Sequence, residues 1–187
     1  ALPISGLQIE ESKEAWSHFQ KYPVIFLTFK DVKMNTWKDA WENISLLLSR
    51  MYQEHRYLLE SSLFNEEERD FFLLILKQKS TPSQAAASLF TLSRHLSDYY
   101  QQQVVILIDE YDTPLHAAYE NHYYQEGIEF FRNFLSGAFK DNQYLYKGVM
   151  TGILRVARES LFSGLNNLGV YSLLKPEFST SFGFTEE

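Results

Sequence analysis

The amino-acid sequence predicts an α/β fold, a parallel sheet with helices on its faces, on three observations. Short apolar runs of strand length recur at 23–29, 104–108 and 144–153. Segments with helical periodicity separate them, and capping or turn residues punctuate the boundaries. That alternation is the pattern of strands joined by helical crossovers.

The first run, Pro23-Val24-Ile25-Phe26-Leu27-Thr28-Phe29, places proline at a strand's first residue, where its missing N–H is tolerated. From Thr36 the residues Trp37, Trp41, Ile44, Leu48 and Met51 recur at steps of three and four, one face of an amphipathic helix. Asn65 followed by Glu66, Glu67 and Glu68 supplies an N-cap and an acidic first turn for a helix carrying Phe71, Phe72, Leu74 and Ile75. Thr81-Pro82-Ser83-Gln84 combines a cap, a first-position proline and a glutamine three residues after the cap, so a helix is expected from there to about Tyr100. The helical stretch of roughly 36–100 is long for a crossover and is expected to form an insertion within the domain.

Val104-Val105-Ile106-Leu107-Ile108 is too short for a typical helix and rich in β-branched residues, which fits a strand buried on both faces. Asp109, Glu110 and Asp112 follow it at once. A carboxylate at the carboxyl end of a parallel strand faces the crevice where ligands of such sheets bind, and hard oxygen ligands suit Mg²⁺. The run therefore has the form of a Walker B element, with Asp109 as the metal-associated acid and Glu110 as the base for a water molecule. A plainer assignment makes Asp109 the cap of the next helix and leaves Glu110 and Asp112 as solvated turn residues before Pro114. Further on, Ile128, Phe131, Phe134, Leu135 and Ala138 mark a helix over 127–140 ended by Asn142, and Gly148-Val149-Met150-Thr151-Gly152 closes the third strand.

Composition narrows the function. The 187 residues are 45% hydrophobic, enough for one sizeable core. A net charge of −7 argues against general binding of phosphate backbones by this segment. The absence of cysteine removes disulfides, thiolate metal sites and cysteine nucleophiles. No apolar stretch reaches the length of about 18 residues that suggests a membrane span, and the first ten residues lack signal-peptide character, so a soluble cytoplasmic protein is expected. His116 and His122 are six apart and do not share a helix face as paired metal ligands would, and no Gly-x-Ser-x-Gly turn supports serine hydrolysis. Helical spacing and strand placement assign the 12 Tyr and 15 Phe chiefly to the core. A nuclease site built from Asp109, Glu110 and Asp112 lacks a following strand with a Glu-x-Lys pattern.

Five stretches together resemble the AAA-ATPase-like family of P-loop proteins often fused to a C-terminal PD-(D/E)XK nuclease-like domain. They are 22–33 (YPVIFLTFKDVK), 104–115 (VVILIDEYDTPL), 147–160 (KGVMTGILRVARES), 161–174 (LFSGLNNLGVYSLL) and 182–187 (FGFTEE). The resemblance implies a three-layer P-loop NTPase-like sheet, Mg²⁺ and ATP as cofactor and ligand, and a nuclease-like partner domain. It also implies Thr151 as a polar γ-phosphate sensor and Arg155 as a phosphate or interdomain contact, with Arg158 as readily a solvated helix residue. None of the eight glycines is followed by Lys and Ser or Thr, so the phosphate-binding loop of the family has no counterpart here. Both ends also read as cut. The expectation is a partial domain over 1–187 that lacks the Walker A strand and loop, is inactive alone and is prone to self-association through an exposed strand edge. A non-enzymatic regulatory or interaction module of P-loop ancestry is the alternative.

Overall fold

The computed structural model describes residues 5–153, 161 and 168–172. Three strands, β1 (Val24–Thr28), β2 (Val104–Asp109) and β3 (Leu145–Met150), form one parallel sheet in that spatial order. The expected strands are all present, the third ending at Met150 rather than Ile153. A bulge between Val104 and Val105 shifts the β2–β3 register near its start.

Seven α-helices accompany the sheet among the described residues: α1 (Lys13–His18), α2 (Trp37–Glu54), α3 (Glu66–Leu76), α4 (Pro82–Ala85), α5 (Ser88–Tyr100), α6 (Thr113–Glu120) and α7 (Tyr124–Phe139). Their starts follow local chemistry. Thr36 Oγ1 accepts the Asp39 N–H at 3.1 Å to open α2. Asn65 and Glu68 form a reciprocal capping box at α3, as Thr81 and Gln84 do at α4.

The single helix expected from Thr81 to Tyr100 is instead two. At Ala87 the N–H bonds Gln84 O across three residues rather than four, and α7 crosses so closely that a Cβ on Gly137 would stand 3.4 Å from Ala86 O. The interruption is made by tertiary packing against small residues, with no breaker in the sequence to announce it. Helix α7 starts three residues before the expected Gly127. Asn142 does act after its end, donating from Nδ2 to Ala138 O at 2.9 Å and accepting Tyr144 N–H at Oδ1.

Burial alternates along β1 and β2. Ile25, Leu27, Val104, Ile106 and Ile108 point into a core shared with Ile44 and Leu48 of α2, Leu89 and Leu92 of α5, and Phe131 and Phe134 of α7. Val24, Phe26 and Val149 point to the other face and are about half exposed. The strand expected to be buried on both faces is thus deeply buried on one, and among the described residues the helical layer lies on that side. Chirality explains it: two right-handed crossovers that step along the sheet in one direction deliver both sets of helices to the same face. Short α1 meets the opposite side at its amino-terminal margin, where His18, Tyr22 and Tyr146 stack.

Aromatic packing fills the core, as the sequence suggested. The Phe29 ring lies 5.1 Å from Phe131 edge to face, and Phe130 stacks on Phe134 at 5.3 Å. Between α3 and α5, His95 is 3% exposed, with its ring 4.2 Å from Phe64 and its Nδ1 without a hydrogen-bond partner. Arg94 bridges the two helices, its Nη2 2.7 Å from Glu68 Oε1 and 3.5 Å from His95 Nε2.

Burial, followed by the Arg94 guanidinium, pushes the His95 pKa from 6.5 down to about 4, against the pull of Glu68. The folded protein therefore refuses a proton that the unfolded chain accepts, and stability falls as pH drops from 6.5 toward 4. The size of the effect is on the order of 3 kcal/mol. Urea unfolding across that window should show the loss, and His95→Leu should flatten its pH dependence.

Candidate functional site at the carboxyl end of the sheet

Parallel register brings three side chains together. Thr28, the last residue of β1, pairs with Asp109, the last residue of β2. The chain beyond β3 stays hydrogen-bonded to β2, with Thr151 N–H donating to Ile108 O at 2.9 Å and Tyr111 N–H donating to Thr151 O at 3.1 Å. Thr28, Asp109 and Thr151 thus form a row across the sheet on its open side, beyond the apolar row of Phe26, Leu107 and Val149.

Both oxygens of Asp109 are engaged. Thr151 Oγ1 donates to Oδ1 at 2.6 Å and Thr28 Oγ1 donates to Oδ2 at 3.0 Å. These two hydroxyls, led by Thr151, hold the carboxyl below its usual pKa, helped by the Glu110 backbone N–H and by Lys30, while partial desolvation opposes them. Asp109 is therefore ionised at neutral pH and fixed in orientation. It is the end of a strand and caps no helix, so the plainer assignment fails for this residue.

Glu110 leaves the strand in a left-handed conformation, φ +50°, uncommon for a residue with a side chain. Its Oε2 accepts from Thr113 Oγ1 at 3.0 Å, and Thr113 N–H returns to Glu110 O at 3.2 Å. The carboxylate is thereby turned toward the start of α6. Asp112, which the plainer assignment made a solvated turn residue, is buried, 4% exposed. A Cβ on Gly152 would come 2.5 Å from its Oδ1 and 2.8 Å from the Tyr111 ring, so only glycine fits where the chain leaves β3.

The site unites Asp109 and Thr151 from the sequence-derived set, with Glu110 adjacent and directed to Thr113. Arg155 and Arg158 lie outside the described residues, as do most of 161–174 and all of 182–187. Thr28 was not singled out by sequence, and Asp112 was weighed there without being given a role. The signal for Thr28 was its place at the end of an adjacent parallel run. His116 pairs loosely with Glu120, 3.4 Å apart on an exposed face of α6. Among the described residues no group of three or more His, Cys, Asp or Glu side chains could hold a metal. The ionised Asp109 with its neighbouring hydroxyls nonetheless fits a cation such as Mg²⁺, which keeps most of its waters and takes one or two protein oxygens. Among the described residues no helix is long and apolar enough to cross a membrane.

Comparison with known proteins adds one match. The family model described as "Predicted AAA-ATPase" covers residues 4–162, while no curated protein and no solved structure matches. That span takes in all three strands and the Thr28, Asp109 and Thr151 row, and by it this chain belongs to the AAA-ATPase-like family.

Proposed function

We propose that this chain is the Walker B and sensor portion of an ATPase domain which, when complete, binds and hydrolyses Mg²⁺-ATP to control an attached effector such as a nuclease-like domain. The observation that carries the reading is the ionised, doubly hydrogen-bonded Asp109 at the carboxyl end of the middle strand of a parallel sheet. Family membership points the same way, toward nucleotide binding.

In this reading Asp109 holds the hydrated metal through its oxygens. The cation, when bound, neutralises charge developing on the phosphate oxygens. Glu110 is the base that takes a proton from the attacking water, which requires its side chain to leave Thr113. Thr151 is the polar residue beside the phosphates, and Arg155 is the cationic contact beyond it. The phosphate-cradling loop comes from a further strand, for which the β3 edge is available: among the described residues β3 pairs with β2 alone, and its middle residues are exposed. Lacking that loop, the 187-residue chain is inactive by itself.

A second reading, a regulatory module without turnover, draws support from the Glu110 carboxylate resting on Thr113. The two part company in the full-length protein. Glu110→Gln should retain ATP and lower phosphate release by about 10²-fold or more; unaltered release would remove Glu110 from the role, and absence of any release by the wild type would favour the regulatory module. For the isolated chain, calorimetry should find no micromolar ATP binding. Mg²⁺-dependent micromolar binding abolished by Asp109→Ala would show the site to be complete without a further strand.

A further inference from the structure

We propose that Thr28 and Thr151 are a matched pair of positioning residues that set the affinity of Asp109 for the divalent cation, one hydroxyl at the end of β1 and one just past β3. The proposal rests on the nucleotide-site reading above and adds to it a residue, Thr28, and a different task for Thr151.

A hydroxyl has one proton to donate. Thr151 directs its proton to Asp109 Oδ1 at 2.6 Å, so that proton is not offered to a phosphate. Thr28 donates to Oδ2 at 3.0 Å while its Oγ1 lies 3.4 Å from the Lys30 N–H, which ties the hydroxyl to its own backbone. Thr28 is β-branched on a strand and has few χ1 choices, while Thr151, one residue past β3, is held through its backbone by Ile108 O and the Tyr111 N–H. The carboxylate is gripped from both sides, and hydrogen bonds to an ionised acceptor are the strong kind.

An ungripped aspartate at a strand tip would sample several orientations and lose entropy on meeting a cation's hydration shell. The two threonines remove that freedom beforehand, and each carboxylate oxygen keeps acceptor capacity beyond the one hydroxyl it receives. Partners of this kind, which orient a metal-associated group without touching the metal, commonly change metal affinity by about 10- to 100-fold. The arrangement depends on the register alone. Thr28 and Asp109 are 81 positions apart in the chain, and Asp109 and Thr151 are 42 apart.

The test uses the full-length protein with a non-hydrolysable ATP analogue and Mn²⁺ as the probe, free Mn²⁺ being read by electron paramagnetic resonance. Thr28→Val keeps the shape and removes the hydroxyl; it should weaken Mn²⁺ binding by about tenfold or more, and Thr28→Ser should restore it. Thr151→Val should do the same and gives an independent measurement if Thr28→Val does not fold. Wild-type Mn²⁺ affinity in both valine variants would overturn the proposal, and so would a Thr28→Ser protein as weak as Thr28→Val, which would assign the effect to packing. A Thr151→Val protein with normal Mn²⁺ affinity but a raised KM for ATP at saturating Mg²⁺ would return Thr151 to the phosphate. Asp109→Asn separates the levels: if it leaves Mn²⁺ affinity unchanged, the nucleotide-site reading itself fails, whereas if it weakens binding and the threonine variants do not, only the positioning pair fails.

Discussion

Parallel pairing in the order β1, β2, β3 is the constraint on which the rest of the molecule depends. Neighbouring parallel strands place partner residues on the same face, so one register fixes both what enters the core and what emerges at the carboxyl ends. Ile25 beside Ile106 and Leu27 beside Ile108 go inward, and Thr28 beside Asp109 goes outward. A slip of one residue would send the whole set to the wrong face. It would bury the Asp109 carboxylate among phenylalanines, at a cost that burial of an unpaired charge makes prohibitive. The site and the core therefore enforce the same alignment.

Rigidity at the row of hydroxyls comes from beneath it. Phe29, one residue past Thr28, is fully buried against Phe131 and Phe134, and its N–H donates to Asp109 O at 3.0 Å. On the other side Ile108 and the Thr151 backbone are joined in the same way. Beside the row, Glu110 takes a left-handed backbone that costs on the order of 1 kcal/mol and reverses the chain into α6. A turn of that sharpness right after Asp109 keeps the acid at the strand's tip while the following residues, Tyr111 and Asp112, fold back into the buried layer.

What the sequence revealed follows the range of the interactions concerned. Caps act within four residues, so Thr36, Asn65 and Thr81 were readable as helix starts. Short apolar runs likewise betrayed the three strands. The pause at Ala86 and Ala87 depends on where α7 crosses, and the burial of Asp112 on the close passage of Gly152, neither of which leaves a local mark. Short α1 rests on a Ser12 cap and no buried residue, too little periodicity to register. At the site, Asp109 was legible because an acid after an apolar run is a one-dimensional pattern. Its two hydroxyl partners become visible only once strands distant in sequence lie side by side. Arg155 is a sequence expectation that the described residues do not reach.

The open side of the sheet carries its own argument. Val24, Phe26, Val105, Leu107 and Val149 face it, an apolar composition that a one-sided sheet would replace with polar alternation. Val105 and Leu107 escape full exposure through their place in the middle strand, whereas Val24, Phe26 and Val149 stand about half in water. The β3 edge is different: Tyr146, Lys147 and Gly148 occupy its exposed centre, and a lysine there discourages indiscriminate pairing. An apolar face next to an edge tolerant of water has the character of a sheet made to be covered on that face. That balance is why the carboxyl-end row and the apolar rows beneath it belong to one design, in which covering the open side would also exclude water from the flank of Asp109 and strengthen every charge interaction it makes.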